Sequence, residues 1–151
     1  MAEPVLFPAP NRTQLNAWRS FLTAHARVMR SLEAELVADQ NLSLVSYDVL
    51  VQLAEAPGRR LRMAELADRV LLSRSGVTRL VDRLERAGLV ARQRVVADGR
   101  GVIAELTEAG LERLRNAARV HLAGVSQHFV AKFDQDELTA IGRLCERLVG
   151  D

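Results

Sequence analysis

Proline is confined to the first part of the chain. The four prolines stand at positions 4, 8, 10 and 57, and residues 58–151 contain none. Proline interrupts helices because it lacks an amide hydrogen and clashes with the preceding turn. The proline-free stretch is rich in alanine and leucine, which have high helix propensity, and aromatic residues make up only 4% of the chain. The sequence therefore predicts a mostly α-helical fold.

The length and the single cysteine narrow the class of protein. A chain of 151 residues has the usual size of one domain and can be stable without disulfides or metals, so we expect residues 1–151 to form a single domain. Cys145 has no second cysteine to pair with, which argues against a disulfide-built secreted scaffold. The sequence shows neither a secretory leader nor a run of roughly 18 apolar residues that could span a membrane. We expect a cytoplasmic protein without a membrane partner.

Two helical patterns come first. From about Thr13 to Ala38, apolar residues recur at alternating steps of three and four, and His25 fills the one gap. The other members of this stripe are Leu15, Trp18, Leu22, Met29, Leu32 and Leu36. An apolar seam of this length needs a partner helix. A second helix is predicted from Ser46, as its N-cap, to Glu55, because Pro57 and Gly58 end the pattern.

Two short helices joined by a tight turn are predicted next. The first is Met63–Val70, Leu71 and Leu72 form the turn, and Ser73 is the predicted N-cap of a helix that Gly88 ends. Apolar residues of the second helix face inward, and its outer face is polar. That outer face carries Ser75, Gly76, Arg79, Asp82, Arg83 and Arg86. Such a pair of helices is typical of a helix-turn-helix.

A hairpin and two more helices complete the pattern. Val90–Val96 and Val102–Leu106 resemble strands, and the Asp-Gly pair between them favours a tight turn. A basic hairpin after a helix-turn-helix is a wing. A helix is then predicted from Glu108 to about Lys132, and Asp134 with Glu137 forms a capping box for the last helix. The predicted inner side of that helix contains Leu138, Ile141, Leu144, Cys145 and Leu148. The fold class is mostly α with a small β-hairpin.

Positive charge is concentrated in the middle of the chain. The stretch from Pro57 to Arg100 contains 11 arginines and 5 acidic residues, a net charge of +6. The remainder has 10 basic and 14 acidic residues, a net charge of −4. A basic module on a neutral or acidic scaffold favours a polyanionic partner, although an arginine-rich solvated surface would give the same composition.

Four segments of the chain form a characteristic series. They are Leu72–Glu85, Gly88-Leu89-Val90, Asp98-Gly99-Arg100 and Leu106–Gly110. Their order and spacing closely resemble the MarR family of bacterial transcription regulators, which is named for multiple antibiotic resistance regulators. The resemblance implies a winged helix-turn-helix DNA-binding region over residues 43–107. It also implies a helical dimerisation region, formed by residues 11–40 and 108–151, in which two copies intertwine.

The resemblance also implies which residues bind double-stranded DNA. The helix that follows Ser73 would enter the major groove, and the wing would reach the minor groove. The family's wing carries Asp-Arg-Arg, whereas here Gly99 separates Asp98 from Arg100, so this wing is less charged. The predicted DNA-binding residues are Ser73, Ser75, Gly76, Thr78, Arg79, Arg83, Arg86, Arg94, Asp98 and Arg100.

Several of these residues have a purely structural alternative. Ser73 and Ser75 either cap the helix only or also meet a phosphate at its N-terminus. Arg86, Arg92 and Arg94 either contact phosphates or only keep the surface soluble. The sequence alone does not choose between these roles.

The histidines and the cysteine have structural and functional interpretations. His25 is either a hydrogen-bonded core residue or, with Trp18 and Tyr47, part of the pocket in which family members bind small aromatic acids or phenols. His121 and His128 are seven residues apart, which does not suit a helical metal pair, and no metal site is predicted. Cys145 lies on an apolar stripe and is predicted to be a buried, inert thiol.

The sequence thus predicts a homodimeric, sequence-specific DNA-binding regulator. We expect a repressor that binds a pseudo-palindromic operator and responds to a small aromatic effector. An enzyme is disfavoured because no catalytic set, phosphate-binding loop or cofactor motif is present, and no cofactor is expected. The alternative is a winged-helix module that binds protein partners and not DNA. The arginine excess argues against it, because protein-binding surfaces are depleted in charge at their centre.

Overall fold

Helices dominate the computed structural model, which describes residues 7–70, 72–95 and 101–150. The described residues also contain one three-stranded sheet. The elements are α1 (Arg12–Gln40), α2 (Leu44–Glu55), β1 (Arg60–Arg62), α3 (Met63–Val70), α4 (Arg74–Arg86), β2 (Val90–Val95), β3 (Gly101–Leu106), α5 (Glu108–His128) and α6 (Gln135–Val149). The predicted fold class, mostly α with a small β-hairpin, is confirmed.

Side-chain caps begin most of the helices. Asn11 and Gln14 form a capping box that begins α1 at Arg12, close to the predicted start. The second helix differs from its prediction: its N-cap is Ser43 and not Ser46, because the Ser43 hydroxyl accepts from the amide of Ser46 at 3.1 Å. Ser46 lies inside α2 and is buried. The predicted cap Ser73 and the predicted capping box of Asp134 with Glu137 are both confirmed.

The fifth helix is shorter than its prediction. It ends at His128, because Phe129 has φ −126° and ψ −65°, and a single 3₁₀ turn over Val130–Lys132 follows. The rings of Phe129 and Phe133 then meet edge to face, with centroids 5.4 Å apart. This contact turns the chain towards the start of α6.

The sheet contains a strand that the sequence analysis missed. β1, Arg60–Arg62, follows a 3₁₀ turn over Pro57–Arg59 and pairs antiparallel with β3, so that the strand order is β1-β3-β2. β2 pairs with β3 from Val90 opposite Leu106 to Val95 opposite Gly101. Of the three residues in β1, only Leu61 is buried. Three residues are too few to show a period of two in the sequence.

A single core joins the helix-turn-helix to the sheet and to α5. Fully buried side chains come from every element between the end of α1 and the middle of α5. Among the largest are Leu36, Leu50, Leu53, Leu66, Val77, Val81 and Val90. The core therefore fixes α4 against β2 and α3, and it leaves the outer face of α4 in solvent.

Apolar residues at the two ends of the chain lie outside this core. In the predicted seam of α1, only Leu32 and Leu36 are buried, whereas Trp18 is 56% exposed. The predicted inner side of α6 is also uncovered, with Leu144 53% and Leu148 74% exposed. The prediction of a buried Cys145 is wrong for the single chain, because its thiol lies on this open face. None of the described helices is long and apolar enough to cross a membrane.

Candidate nucleic-acid interface

The beginning of α4 is organised by Ser73. Its hydroxyl accepts from the amide of Gly76 at 3.1 Å and lies 3.2 Å from the hydroxyl of Ser75. A Cβ at Gly76 would lie 3.1 Å from the same hydroxyl, a tight approach that glycine avoids. The capped end is exposed, and the free amides of a helix N-terminus attract anions such as phosphate. Ser73, Ser75 and Gly76 thus stand together where they were predicted.

The outer face of α4 carries exposed arginines. Arg79, Arg83 and Arg86 are exposed and line one surface groove together with Gly76 and the α2 cap Ser43. Arg79 and Arg83 are four residues apart, so they lie one helical turn apart on the same side. The guanidinium groups can form paired hydrogen bonds with guanine or contact phosphates.

Thr78 belongs to a different groove. It lines the space between α4 and the sheet, together with Arg62, Arg74 and Gly101. Its hydroxyl donates to the carbonyl of Arg74 at 2.9 Å, so the hydroxyl proton is already used within the helix. The two grooves flank α4, and each is lined by arginine.

Arg92 holds β2 to α4. Its guanidinium lies 2.5 Å from the Asp82 carboxylate and 3.1 Å from the Glu85 carboxylate, and its amide donates to Glu85 at 3.0 Å. The hydrogen bond from Arg92 lowers the pKa of Glu85 below its ordinary value. These contacts give Arg92 a structural role that the sequence analysis did not consider. It positions β2 against α4.

The remaining predicted wing residues have different outcomes. Arg94 is exposed on β2. Asp98 and Arg100 lie within residues 96–100, outside the described part of the chain, as does the turn residue Leu71. Their assignment to DNA stays a prediction.

Basic residues around β1 were missed by the sequence analysis. Arg60 lies 3.2 Å from the Gln93 amide oxygen and 3.7 Å from the Glu105 carboxylate, while Arg59 pairs with Glu108 at 3.0 Å. These contacts tie β1 to β2, β3 and the start of α5. The only signal was a run of three arginines interrupted by Leu61, and their partners are distant in sequence.

The three residues predicted to line an effector pocket do not share one. His25 is exposed and lines an apolar groove with His128 and Cys145, between α1, the end of α5 and α6. Trp18 stands on the open surface of α1. Tyr47 is buried and lines a separate cavity between α1, α2 and α5. The spacing of apolar residues along α1 could not place Tyr47, because Tyr47 belongs to α2.

The residue that accompanies Tyr47 is His121. The two rings are 4.6 Å apart between centroids, and burial lowers the pKa of His121. His128 instead meets Glu35 of α1 through its Nε2 atom. No cluster of three or more His, Cys, Asp or Glu side chains suited to a metal ion occurs within the described ranges.

The comparisons with known proteins agree with this geometry. A sequence profile described as MarR family matches residues 40–101. Two similar solved structures, both of MarR family transcriptional regulators from Streptomyces coelicolor, are Sco3205 in complex with DNA and AbsC. Sco3205 is 32% identical with a TM-score of 0.90, covering 97% of this chain and 91% of its own. AbsC is 33% identical with a TM-score of 0.84, covering 96% and 100%. The HTH-type transcriptional repressor YetL of Bacillus subtilis is 29% identical over 126 residues, 82% of this chain and 75% of YetL.

Proposed function

The chain belongs to the MarR family of transcriptional regulators, and we propose that it is a homodimeric repressor that reads a pseudo-palindromic operator. The observation that carries the proposal is the exposed arginine face of α4, in which Arg79, Arg83 and Arg86 line one groove beside a capped helix N-terminus. The repressor role is supported by the similarity to YetL. A regulator of this kind acts on DNA in the cytoplasm, and no enzymatic activity is proposed.

We assign different roles to the helix and to the wing. Arg79 and Arg83 read bases in the major groove, and Ser73, Ser75 and Gly76 hold a phosphate at the N-terminus of α4. Arg86 and Arg94 contact the phosphates of the DNA backbone. Arg100, with Asp98 beside it, meets the minor groove, where width and negative potential attract arginine more than base identity does.

Dimerisation accounts for the uncovered apolar faces. The N-terminal half of α1 and the face of α6 that contains Leu144 and Leu148 expose large apolar side chains in the single chain. A second copy related by a two-fold axis would cover them. The proposal therefore divides the chain into a DNA-binding region, residues 43–107, and a dimerisation region, residues 11–40 and 108–151. A small aromatic effector, bound in the cavity that Tyr47 lines, would modulate the dimer's affinity for DNA.

Substitutions in α4 test the assignment of base reading. Arg79→Ala and Arg83→Ala should each weaken binding to the selected operator by on the order of 1 to 3 kcal/mol, and binding to random DNA much less. Arg100→Ala should lower both affinities and reduce the salt slope by about one, with the preferred core sequence unchanged. Fluorescence anisotropy with labelled duplexes at several salt concentrations measures both quantities.

A matched control is Arg119→Ala, because Arg119 is an exposed arginine on α5 that lines neither groove beside α4. It should bind both duplexes like the parent. Equal losses on operator and random DNA from the two α4 variants would contradict the base-reading role. A folded parent that binds no DNA would favour the protein-binding alternative.

A further inference from the structure

Helix α4 carries two acidic residues among its arginines, Asp82 and Glu85. Asp82 lines the same surface groove as the groove arginines, Arg79, Arg83 and Arg86. Residues three or four positions apart are neighbours on the surface of a helix. Asp82 is therefore a neighbour of both Arg79 and Arg86, and also of Glu85, which has the same charge. A negative charge thus stands within the surface that is proposed to bind DNA.

A single guanidinium group from β2 contacts both carboxylates. The Nη2 atom of Arg92 lies 2.5 Å from Oδ1 of Asp82 and 3.1 Å from Oε1 of Glu85. Glu85 also accepts from the main-chain amide of Arg92 at 3.0 Å, a contact that does not depend on the arginine side chain. Within the described part of the chain, the side chain of Arg92 is the one ionic partner of Asp82.

The groove arginines have no ionic partner of their own. Within residues 7–70, 72–95 and 101–150, none of the three forms an ion pair. If Asp82 were released from Arg92, it would pair with Arg79 or Arg86 and draw that guanidinium away from DNA. Its charge would also repel the phosphates, more strongly where the interface loses water. The pairing with Arg92 prevents both effects.

We propose that Arg92 is a positioning residue for DNA binding, which holds Asp82 so that the groove arginines stay available to DNA. Arg92 acts through Asp82 and does not itself contact DNA. The inference rests on the proposed function for the role of the groove arginines. It adds that a residue of β2 sets the charge that α4 presents to DNA.

A double-mutant cycle between Arg92 and Asp82 tests the proposal. The full-length parent, Arg92→Gln, Asp82→Asn and the double variant are titrated by fluorescence anisotropy against the selected operator and a random duplex at one salt concentration. Arg92→Gln should weaken operator binding at least about tenfold. Asp82→Asn should change operator affinity by less than about twofold in the parent, but should raise it at least about fivefold in the Arg92→Gln background.

The recovery separates this role from simpler ones. If only the total charge matters, Asp82→Asn raises affinity by the same factor in both backgrounds. If Arg92 contacts a phosphate, or only fastens β2, Asp82→Asn does not restore binding to Arg92→Gln. If Asp82 itself accepts from a base, Asp82→Asn alone weakens operator binding. Each of these three results would overturn the proposal.

The matched control is the ion pair of Arg59 with Glu108, whose charged atoms are 3.0 Å apart. Neither residue lines a groove beside α4. In their cycle, Glu108→Gln should change operator affinity by the same factor with and without Arg59→Gln. Circular dichroism melts show whether the variants fold. Arg92→Lys keeps a positive charge beside Asp82 and should bind the operator more tightly than Arg92→Gln, and equal affinities would also overturn the proposal.

The random duplex separates this inference from the proposed function. A parent without preference for the operator, together with recovery in the cycle on both duplexes, would reject operator reading and keep the role of Arg92. A parent that prefers the operator, together with equal effects of Asp82→Asn in both backgrounds, would do the reverse. A parent that binds neither duplex would reject both.

Discussion

Arg92 shows how one side chain sets the geometry of the DNA-binding region. It joins β2 to α4 through two carboxylates that lie one turn apart on the helix, Asp82 and Glu85. Asp82 and Glu85 are the acidic residues of α4, whose other charged residues are arginines. Arg74, Arg79, Arg83 and Arg86 are the four arginines that α4 presents to solvent. The outer surface of α4 therefore combines an ion-paired contact with β2 and a set of exposed arginines.

His121 should make the stability of the protein fall with acidification. Above about pH 6.5, the ordinary pKa of histidine, the ring is neutral in both folded and unfolded chains. Below it, the unfolded chain binds a proton that buried His121 resists, because burial lowers its pKa. The free energy of unfolding must then decrease until the pH passes the lowered pKa.

The measurement is a series of thermal melts of the parent and His121→Gln between neutral and mildly acidic pH. The parent should lose more of its melting temperature on acidification than the variant does. His25→Gln serves as the control, since His25 is exposed, and it should follow the parent. Parallel pH curves for the parent and His121→Gln would show that His121 does not carry this dependence.

For single residues, the sequence predicted the place in a helix better than the contacts with other elements. Ser73 was found as a cap because a cap acts within three residues of itself. Tyr47 was grouped with Trp18 and His25, whereas its ring lies against His121. The sequence did not show this contact, because His121 is on a helix far along the chain. The contact of Arg92 with Asp82 and Glu85 was not predicted, because it joins a strand to the preceding helix. Local sequence patterns predict helix caps and the buried face of a helix. Contacts between elements depend on tertiary packing, which local patterns do not predict.

At the scale of elements, the start of α5 is fixed tightly to the loop between α4 and β2. The Thr107 amide donates to the Leu89 carbonyl at 3.1 Å, and the Thr107 hydroxyl donates to the Gly88 carbonyl at 2.7 Å. The same hydroxyl accepts from the amide of Gly110 at 3.0 Å. These hydrogen bonds hold the start of α5 against the residues that directly follow α4. They also give a physical reason for two residues of the segment Leu106–Gly110, the capping Thr107 and the closely packed Gly110.

Gly110→Ala should destabilise the protein strongly. A Cβ at this position would lie 2.1 Å from the Leu89 carbonyl oxygen and 2.6 Å from a Leu106 methyl carbon, so the backbone would have to move. We expect a loss of about 2 kcal/mol or more in the free energy of unfolding, measured by urea denaturation at fixed protein concentration.

Gly142→Ala is the matched control, because a Cβ at Gly142 in α6 meets nothing within 4 Å. Alanine has the higher helix propensity, so this variant should be no less stable than the parent. A Gly110→Ala protein as stable as Gly142→Ala would mean that the close approach between α5 and Leu89 is wrong.

The sequence predicted the types of the helices and strands well. It predicted their ends less well, and it missed the shortest strand, β1. α3 coincides with its prediction, Met63–Val70, because its apolar spacing is regular and Ser73 begins the next helix. The end of α5 was placed too late, since the turn at Phe129 arises from packing of two phenylalanine rings. β1 is stabilised by pairing with β3 over forty positions away, which no local period reveals.

At the scale of the whole molecule, the exposed apolar faces should be an interface between two copies. The double variant Leu144→Glu with Leu148→Glu places two charges on the open face of α6 and should shift the protein from dimer to monomer or to aggregate. Analytical ultracentrifugation at about micromolar concentration measures the change. Arg69→Glu, an exposed substitution on α3 and outside the proposed dimerisation region, should remain dimeric. A parent that sediments as a monomer, or a double variant that stays dimeric, would contradict this assignment.

The most direct test of the central claim is selection of bound duplexes from a pool of random double-stranded DNA, followed by sequencing. A two-fold dimer that reads DNA through α4 should enrich an inverted repeat with half-site centres about one helical turn, roughly 10 bp, apart. Under the same conditions, the double variant Arg79→Ala with Arg83→Ala should enrich no sequence while it still binds DNA at low salt. Enrichment of no motif by the parent, or of the same motif by the double variant, would contradict the claim that α4 reads an operator.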